Sequence, residues 1–312
     1  MNTETRILEP GQLETPLGEI RFLFLPRRDL FARRAERLRF LSKGHPLGDY
    51  LAFLAILADA QQEALIQFLP LSLPGPAKQA RCRERGMPLL DARIRQRDPE
   101  WRRGLTMILQ QMSKADLPSA ARDAASTLMQ ASETELEERA DRILAGDLAA
   151  VSPQDLPFIA AALQVYWVQM ASSLKEAAFG RLEQGGLCPV CGSYPSAGIV
   201  HRGGAEQGLR YLSCCLCASE WHMVRIKCSS CESTHGIDYH IVEGSNGAIK
   251  AESCGDCNSY LKLLYLGKDA QMDATADDLA TLSLDMLMEQ EGKARGGPNL
   301  LFHPGHTDKG VA

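Results

Sequence analysis

The chain has 312 residues, of which 45% are hydrophobic and 23% are charged, and this composition excludes a disordered chain. Its length exceeds the usual size of a single hydrophobic core, so two or three domains are expected. The formal net charge of -5 gives no electrostatic reason to expect nucleic acid or an anionic membrane as the main partner.

The first twenty residues lack the cationic start and apolar core of a secretory signal, which predicts a cytoplasmic protein. The best candidate for a membrane span covers residues 156–174, which contain no charged side chain. Gln164 and Gln169 interrupt this stretch, and a helix buried in a bundle shows the same pattern. Because a single marginal span is a poor anchor, we expect a buried helix and no membrane insertion.

Residues 1–185 show the pattern of a helical domain. Between Pro46 and Pro70, apolar residues recur at steps of three and four, which predicts an amphipathic helix bounded by the two prolines. A short strand is predicted over 20–25, and further helices over 29–41, 99–114, 118–131, 133–145 and 157–179. The N-terminal region is therefore predicted to be a helical bundle.

The first of these helices is rich in arginine, with Arg27, Arg28, Arg33, Arg34 and Arg37 around an apolar side. Such a run usually forms a solvated face, and this is our expectation here. The alternative is a surface that binds an acidic partner.

Nine of the ten cysteines lie in the second part of the chain, where they form a tandem repeat. Each of the first two Cys-x-x-Cys pairs recurs forty positions later in the sequence. The four pairs are Cys188/Cys191, Cys214/Cys217, Cys228/Cys231 and Cys254/Cys257. Cys215 lies outside this register.

The spacing predicts two metal sites with four thiolate ligands each. A Cys-x-x-Cys turn places two sulfurs on one side of a loop, and two such turns complete a tetrahedral site. Disulfides are the alternative, but they are disfavoured in a reducing compartment. We expect each repeat to close its own site around a β-hairpin, although interleaved pairing is also possible. Tetrahedral sulfur sites suit both iron and zinc, so the spacing does not choose the metal.

The remaining candidate side chains are expected to be inert. His201, His222, His235 and His240 lie among the cysteines but are not needed as ligands. Cys215 is interpreted as an idle position beside the metal ligands, and Cys82 as an inert thiol in a basic loop.

The chain is predicted to end with a helix over 275–291 and a loose tail. The fold class is therefore α+β with several domains: a helical domain (1–185), two rubredoxin-like or zinc-ribbon units (186–226 and 227–268), and a C-terminal helix and tail (269–312). No nucleotide-binding or hydrolase motif occurs, and four thiolates leave no open position on the metal. We therefore expect a protein that is not an enzyme.

Four segments together resemble FdhE-type formate dehydrogenase accessory proteins: "HPLGDYLAFLAILADAQQ", "CPVCGSYPSAGIV", "GLRYLSCCLCASEWHMVRIKC" and "DDLATLSLDMLMEQEG". The resemblance implies a cytoplasmic maturation factor that acts on the catalytic subunit of respiratory formate dehydrogenase before twin-arginine export. It also implies a rubredoxin-like, iron-binding domain whose ligands are the eight cysteines of the repeat.

Two other functions compete with this one. Rubredoxin-like iron would allow electron transfer during maturation of the client. Zinc ribbons often bind nucleic acid, but residues 188–267 carry six Lys+Arg against seven Asp+Glu, which is not a phosphate-binding surface. For the binding of a client, we consider the arginines and a strand edge over Trp221–Ile226.

Overall fold

The computed structural model describes residues 20–94, 96–203 and 206–303. It confirms the predicted fold class, since a helical N-terminal region precedes a sheet-rich region with two clusters of four cysteines. The helices of the N-terminal region are α1 (Leu30–Ser42), α2 (Gly48–Gln67), α3 (Pro76–Glu84), α4 (Glu100–Met112), α5 (Ser119–Gln130), α6 (Glu133–Ala145) and α7 (Leu156–Ser172).

The sequence did not predict α3, which begins with Pro76 at its first position and has few apolar residues. Cys82 therefore lies in a helix and not in a basic loop, and its side chain is buried. Residues 157–179 were predicted as one helix, but α7 ends at Ser172 and a separate turn of 3-10 helix covers Glu176–Ala178.

Helix α7 forms the centre of the bundle, because all its residues from Leu156 to Ala171 are buried. Its neighbours α2, α4 and α6 pack around it. The expected buried helix is thus present. Within the described ranges, no helix combines the length and the apolar character that crossing a membrane requires.

Among the described residues, the strands join into one sheet. They are β1 (Leu23–Phe24), β2 (Pro195–Val200), β3 (Arg210–Cys214), β4 (Glu220–His222), β5 (Ile237–His240), β6 (Ile249–Cys254), β7 (Ser259–Tyr265) and β8 (Ala294–Arg295). The order is β1-β4-β3-β2-β7-β6-β5, with β8 beside β7. Each cysteine repeat therefore contributes an antiparallel three-stranded meander, and the parallel pairing of β2 with β7 joins the two meanders.

Strand β4 does not form a free edge, contrary to the hypothesis for Trp221–Ile226. Strand β1 pairs with it, so that Leu23 lies opposite Trp221. Trp221 is buried, and its indole N–H donates to the carbonyl of Gly185. The outer strand at the opposite side of the sheet is β5.

The predicted C-terminal helix is divided into α8 (Ala276–Leu279) and α9 (Leu282–Gln290). A tertiary contact lies at the break: the buried ammonium group of Lys262 in β7 donates to the carbonyls of Asp278 and Thr281, at 2.9 and 3.0 Å. Lys262 thus binds carbonyl groups at the break, and these also accept the backbone N–H groups of Thr281 and Leu284, at 3.2 and 3.0 Å, in three-residue turns.

The prediction of a loose tail is wrong as far as residue 303. Strand β8 pairs in parallel with β7, and Leu300 and Leu301 are buried. Asn299 donates to the carbonyl of Thr275 at 3.1 Å, which fixes the segment against α8. Residues 304–312 lie outside the described residues.

The arginines of α1 do not all form a solvated face. Arg34 and Arg37 are buried, at 3% and 9% exposure. Arg34 pairs with Asp273 at 3.0 Å, and Arg37 pairs with Asp277 at 2.6 Å. The acidic partner of these two arginines is thus the C-terminal region of the same chain, which their ion pairs hold against α1.

Candidate metal centres

The first cluster contains Cys188, Cys191, Cys214 and Cys217, whose sulfurs all lie within 4.8 Å of one another. The Cys191–Cys214 sulfur distance is 3.4 Å, and the Cys188–Cys217 distance is 3.6 Å. These are not disulfides, since every cysteine of the cluster is free. Four sulfurs at about 2.3 Å from one ion would lie about 3.8 Å apart, so the cluster has the dimensions of a tetrahedral thiolate site.

The second cluster repeats this geometry with Cys228, Cys231, Cys254 and Cys257. The Cys228–Cys257 and Cys231–Cys254 sulfur distances are 3.6 and 3.7 Å. The eight cysteines are therefore grouped locally, one cluster for each repeat, as the spacing predicts. We call the two clusters the first centre and the second centre.

All four Cys-x-x-Cys turns are followed by a residue in the left-handed backbone conformation. The residue after the second cysteine of each turn has a positive φ of 54 to 75°. These residues are Gly192, Ala218, Glu232 and Asn258. The left-handed residue reverses the chain, and backbone N–H groups then point at a sulfur: those of Leu216 and Cys217 lie 3.4 Å from the Cys214 sulfur.

The helical region covers the first centre. The N–H groups of Leu90 and Ala92, in the connection between α3 and α4, donate at 2.9 Å to the carbonyls of Val190 and Cys191. From the other side, the side chain of Gln164 in α7 donates at 2.9 Å to the carbonyl of Cys215. Both cysteine turns of this centre are thus hydrogen-bonded to the helical region.

The second centre reaches the surface. Cys228 and Cys254 are buried, at 4% and 1% exposure, whereas Cys231 and Cys257 are exposed. In the first centre, by contrast, no ligand exceeds 4% exposure. The first cysteine of each turn in the second centre therefore faces the protein, and the second cysteine faces solvent.

FdhE family models match this chain in three consecutive parts. The model of the N-terminal region matches residues 20–183, the central domain 187–225 and the C-terminal domain 226–302. The chain belongs to the FdhE family. The central-domain match contains the first centre, and the C-terminal-domain match contains the second.

Relatives and a solved structure agree with this assignment. An FdhE homolog of Edwardsiella ictaluri is 48% identical over 93% of this chain and 94% of its own length. An FdhE homolog of an Enterobacter species is 46% identical over 92% of both chains. The crystal structure of the FdhE protein from Pseudomonas aeruginosa superimposes with a TM-score of 0.83 and 40% identity, covering 92% of this chain and all of that one.

Without an ion, burial and hydrogen bonding separate the pKa values of the thiols in this FdhE chain. Burial raises the pKa of Cys188, Cys214 and Cys217 well above the ordinary value. Burial acts on Cys191 in the same direction, but hydrogen bonds from the neighbouring thiols outweigh it and hold its pKa well below the ordinary value. Of the four thiols, Cys191 is thus the one that ionises most readily, and a metal ion bound here would displace the protons of the others.

The same opposition exists in the second centre. Burial raises the pKa of Cys228, but N–H groups of Cys231 and Ser230 and the hydroxyl of Ser259 lower it to about 7. The ammonium group of Lys293 also lies near this centre, but it donates to the carbonyl of Cys254, at 3.3 Å, and not to a sulfur. Backbone and hydroxyl donors therefore stabilise the thiolate form of Cys228.

The residues that were expected to be inert lie outside both clusters. His201 contacts Glu220 and His240 contacts Ser253, each at 2.8 Å. Cys215 is buried beside the first centre, where its carbonyl accepts the hydrogen bond of Gln164. Cys82 lies in α3 and belongs to neither cluster.

Sequence reasoning missed three supporting residues. Gln164 was seen as an interruption of an apolar helix, and that interruption was the available signal. Ser219 and Ser259 lie forty positions apart, as the cysteines do, and their hydroxyls lie 3.3 and 3.0 Å from the sulfurs of Cys217 and Cys257. The register of the repeat could have identified this pair.

Proposed function

We propose that the protein is a cytoplasmic accessory factor for the maturation of respiratory formate dehydrogenase. In this proposal it binds the catalytic subunit before twin-arginine export. The observation that carries the proposal is the pair of four-cysteine clusters built into a chain of the FdhE family. The family name and the sequence resemblance support the choice of client.

In this proposal, Cys188, Cys191, Cys214 and Cys217 hold one metal ion, and the cysteines forty positions later hold a second. The sulfur distances and free thiols fit such ions. A bound ion cross-links two turns of a short meander whose apolar core is small. Iron is the proposed metal because of the resemblance, and zinc is the alternative for the same sulfur ligands.

The geometry favours binding of a client over turnover of a substrate. Four protein thiolates saturate a tetrahedral ion, so the chain offers no open ligand position while all four remain bound. We therefore propose that the protein is not an enzyme and acts by contact with the catalytic subunit.

A deletion strain tests this function. We expect the strain to lose formate-dependent reduction of an electron acceptor, and the full-length chain to restore it. The variant Cys191→Ser should fail to restore the activity, whereas Cys215→Ser should succeed, because Cys215 is buried nearby but lies outside the cluster. Full formate dehydrogenase activity in the deletion strain would refute the proposed role.

Affinity capture tests the partner separately. Tagged chain captured from its native host should retain the catalytic subunit of formate dehydrogenase, identified by mass spectrometry. If the tagged chain restores activity in the deletion strain but captures no catalytic subunit, direct binding is refuted and the maturation role is left intact.

A redox role is the second candidate, because Cys231 and Cys257 bring the second centre to the surface, where a partner can approach for electron transfer. Protein purified in air with ferric thiolate centres would be red. A colourless native preparation with stoichiometric zinc would eliminate this role, since zinc does not change oxidation state.

A further inference from the structure

We infer that the second centre is the site of metal exchange: its ion passes to and from an incoming thiol ligand through the face formed by Cys231 and Cys257, while the first centre retains its ion. This inference rests on the proposed metal ligands and adds which of the two ions is mobile. It does not depend on the identity of the client.

The exposed ligands define the entry face. In the second centre, Cys231 and Cys257 belong to different turns and are both exposed, whereas Cys228 and Cys254 are buried behind them. An incoming ligand can thus reach one half of the sulfur shell without unfolding any part of the chain. In the first centre, all four sulfurs are buried and offer no such face.

The buried half of the second centre remains in place during exchange. Cys254 ends β6, which is paired on both sides with β5 and β7, and its carbonyl accepts a hydrogen bond from Lys293. Cys228 is held by the backbone N–H of Ser230, which lies 3.3 Å from its sulfur. Cys228 and Cys254 would therefore remain as two ligands of an ion while Cys231 and Cys257 were replaced in turn.

The first centre requires a larger opening. An ion can leave only if its turns separate from the helical region, which breaks the hydrogen bonds from Leu90, Ala92 and Gln164 to the cysteine turns. Each such hydrogen bond contributes roughly fivefold to such an equilibrium, so the need to break three of them slows release about 100-fold.

The chemical class of the incoming ligand follows from the ion. An ion that prefers four soft thiolates is captured most effectively by another thiolate. At each exchange, one bond between a metal ion and Cys231 or Cys257 would break as one bond to the incoming sulfur formed. The incoming thiol would pass its proton to the departing cysteine, so the charge of the centre would be unchanged and no oxidant or reductant would be needed.

The experiment uses the full chain loaded with two zinc ions and the dithiol dimercaptosuccinate as the probe. Native mass spectrometry follows the number of ions bound over time, and N-ethylmaleimide labels the thiols that become free. We expect one ion to leave about 100-fold faster than the other. The first labels should appear on Cys231 and Cys257, followed by Cys228 and Cys254.

This labelling assigns the mobile ion in the unmodified chain, so the test does not depend on whether a cysteine variant folds. Release of both ions at one rate, or first labels on Cys188, Cys191, Cys214 or Cys217, would overturn the inference and leave the proposed ligands intact. Failure of the chain to bind two ions would refute the ligands themselves, and the inference with them.

Discussion

The two centres have the same cysteine spacing but different surroundings. The first lies under the helical region and has four buried ligands, whereas the second presents two of its four ligands to solvent. The spacing therefore determines which sulfurs meet, and the neighbouring elements determine whether anything else can reach them. A duplicated motif can thus place an enclosed four-cysteine cluster and an accessible one in the same sheet.

The centres are nevertheless joined mechanically. Arg210 in β3 is fully buried and pairs with Glu252 in β6 of the other repeat. The same guanidinium donates at 2.7 Å to the carbonyls of Val224 and Lys227, which lie between the repeats. Because Lys227 precedes Cys228, the first repeat helps to position a ligand of the second centre.

The largest expected difference between the centres is in the effect of removing one cysteine from each. We expect Cys217→Ser to abolish most of the stabilisation by its ion, which is about 10 kcal/mol for a structural thiolate site, because no water can replace the buried ligand. Cys257→Ser should leave the fold intact, since water can reach its exposed position. Soluble yield, thermal unfolding by circular dichroism and metal content measure the difference.

Cys215→Ser provides the control, because its side chain is buried beside the first centre but lies outside the cluster. It should keep two ions and a melting temperature close to that of the parent chain. If Cys257→Ser unfolds the chain as completely as Cys217→Ser, exposure does not separate the roles of the two centres.

The eight clustered cysteines could be predicted because the repeat is a local signal that needs no knowledge of tertiary contacts. The helices of the N-terminal region other than α3 were predicted for the same reason: α2, for example, is marked by apolar periodicity between two prolines. Helix α3 lacks that periodicity, so its nine residues were interpreted as part of a loop.

What the sequence could not predict depends on contacts between distant residues. The helical pattern of α1 predicts solvated arginines at positions 34 and 37. Their partners, Asp273 and Asp277, lie more than 230 positions away, so the local sequence does not reveal them. The carbonyls at the break between α8 and α9 are bound by Lys262 of a different element. The cover over the first centre likewise consists of backbone N–H groups, which every residue type except proline carries, so no sequence pattern marks it.

The second largest effect should test the connection between the centres. Arg210→Ala leaves Glu252 as an unpaired buried charge, which typically costs about 3–5 kcal/mol of the free energy of unfolding. It should also increase the rate of metal release from the second centre more than from the first, because the carbonyls on both sides of the turn before Cys228 lose their donor. Denaturant unfolding and timed metal release measure the two effects.

Lys227→Ala is the matched control, because its pair with Glu232 lies beside the same centre but is partly exposed. Exposed pairs contribute less than about 1 kcal/mol. Equal costs for Arg210→Ala and Lys227→Ala would show that the buried pair does not connect the repeats.

Acid should release the ion of the second centre first. Solvent reaches the sulfurs of Cys231 and Cys257 directly, so protons compete for these two ligands without any opening of the fold. The four sulfurs of the first centre are buried, so the same competition requires its turns to open first. Metal content after dialysis between pH 8 and 5 should therefore fall in two steps, and loss of both ions in one step would contradict this difference.

The smallest effect compares the turns themselves. Ala218 and Asn258 occupy equivalent positions with the same φ of 54°, but asparagine tolerates the left-handed conformation and alanine does not. Ala218→Gly should therefore raise the free energy of unfolding by about 1 kcal/mol, or roughly 2 °C in melting temperature, after the entropic cost of glycine is included. Asn258→Gly should not raise it, because asparagine already tolerates this conformation and the variant loses the hydrogen bond from Lys293 Nζ to Asn258 Oδ1 at 2.9 Å. Equal melting shifts for the two variants would mean that the strain belongs to the shared turn and not to alanine in the first centre.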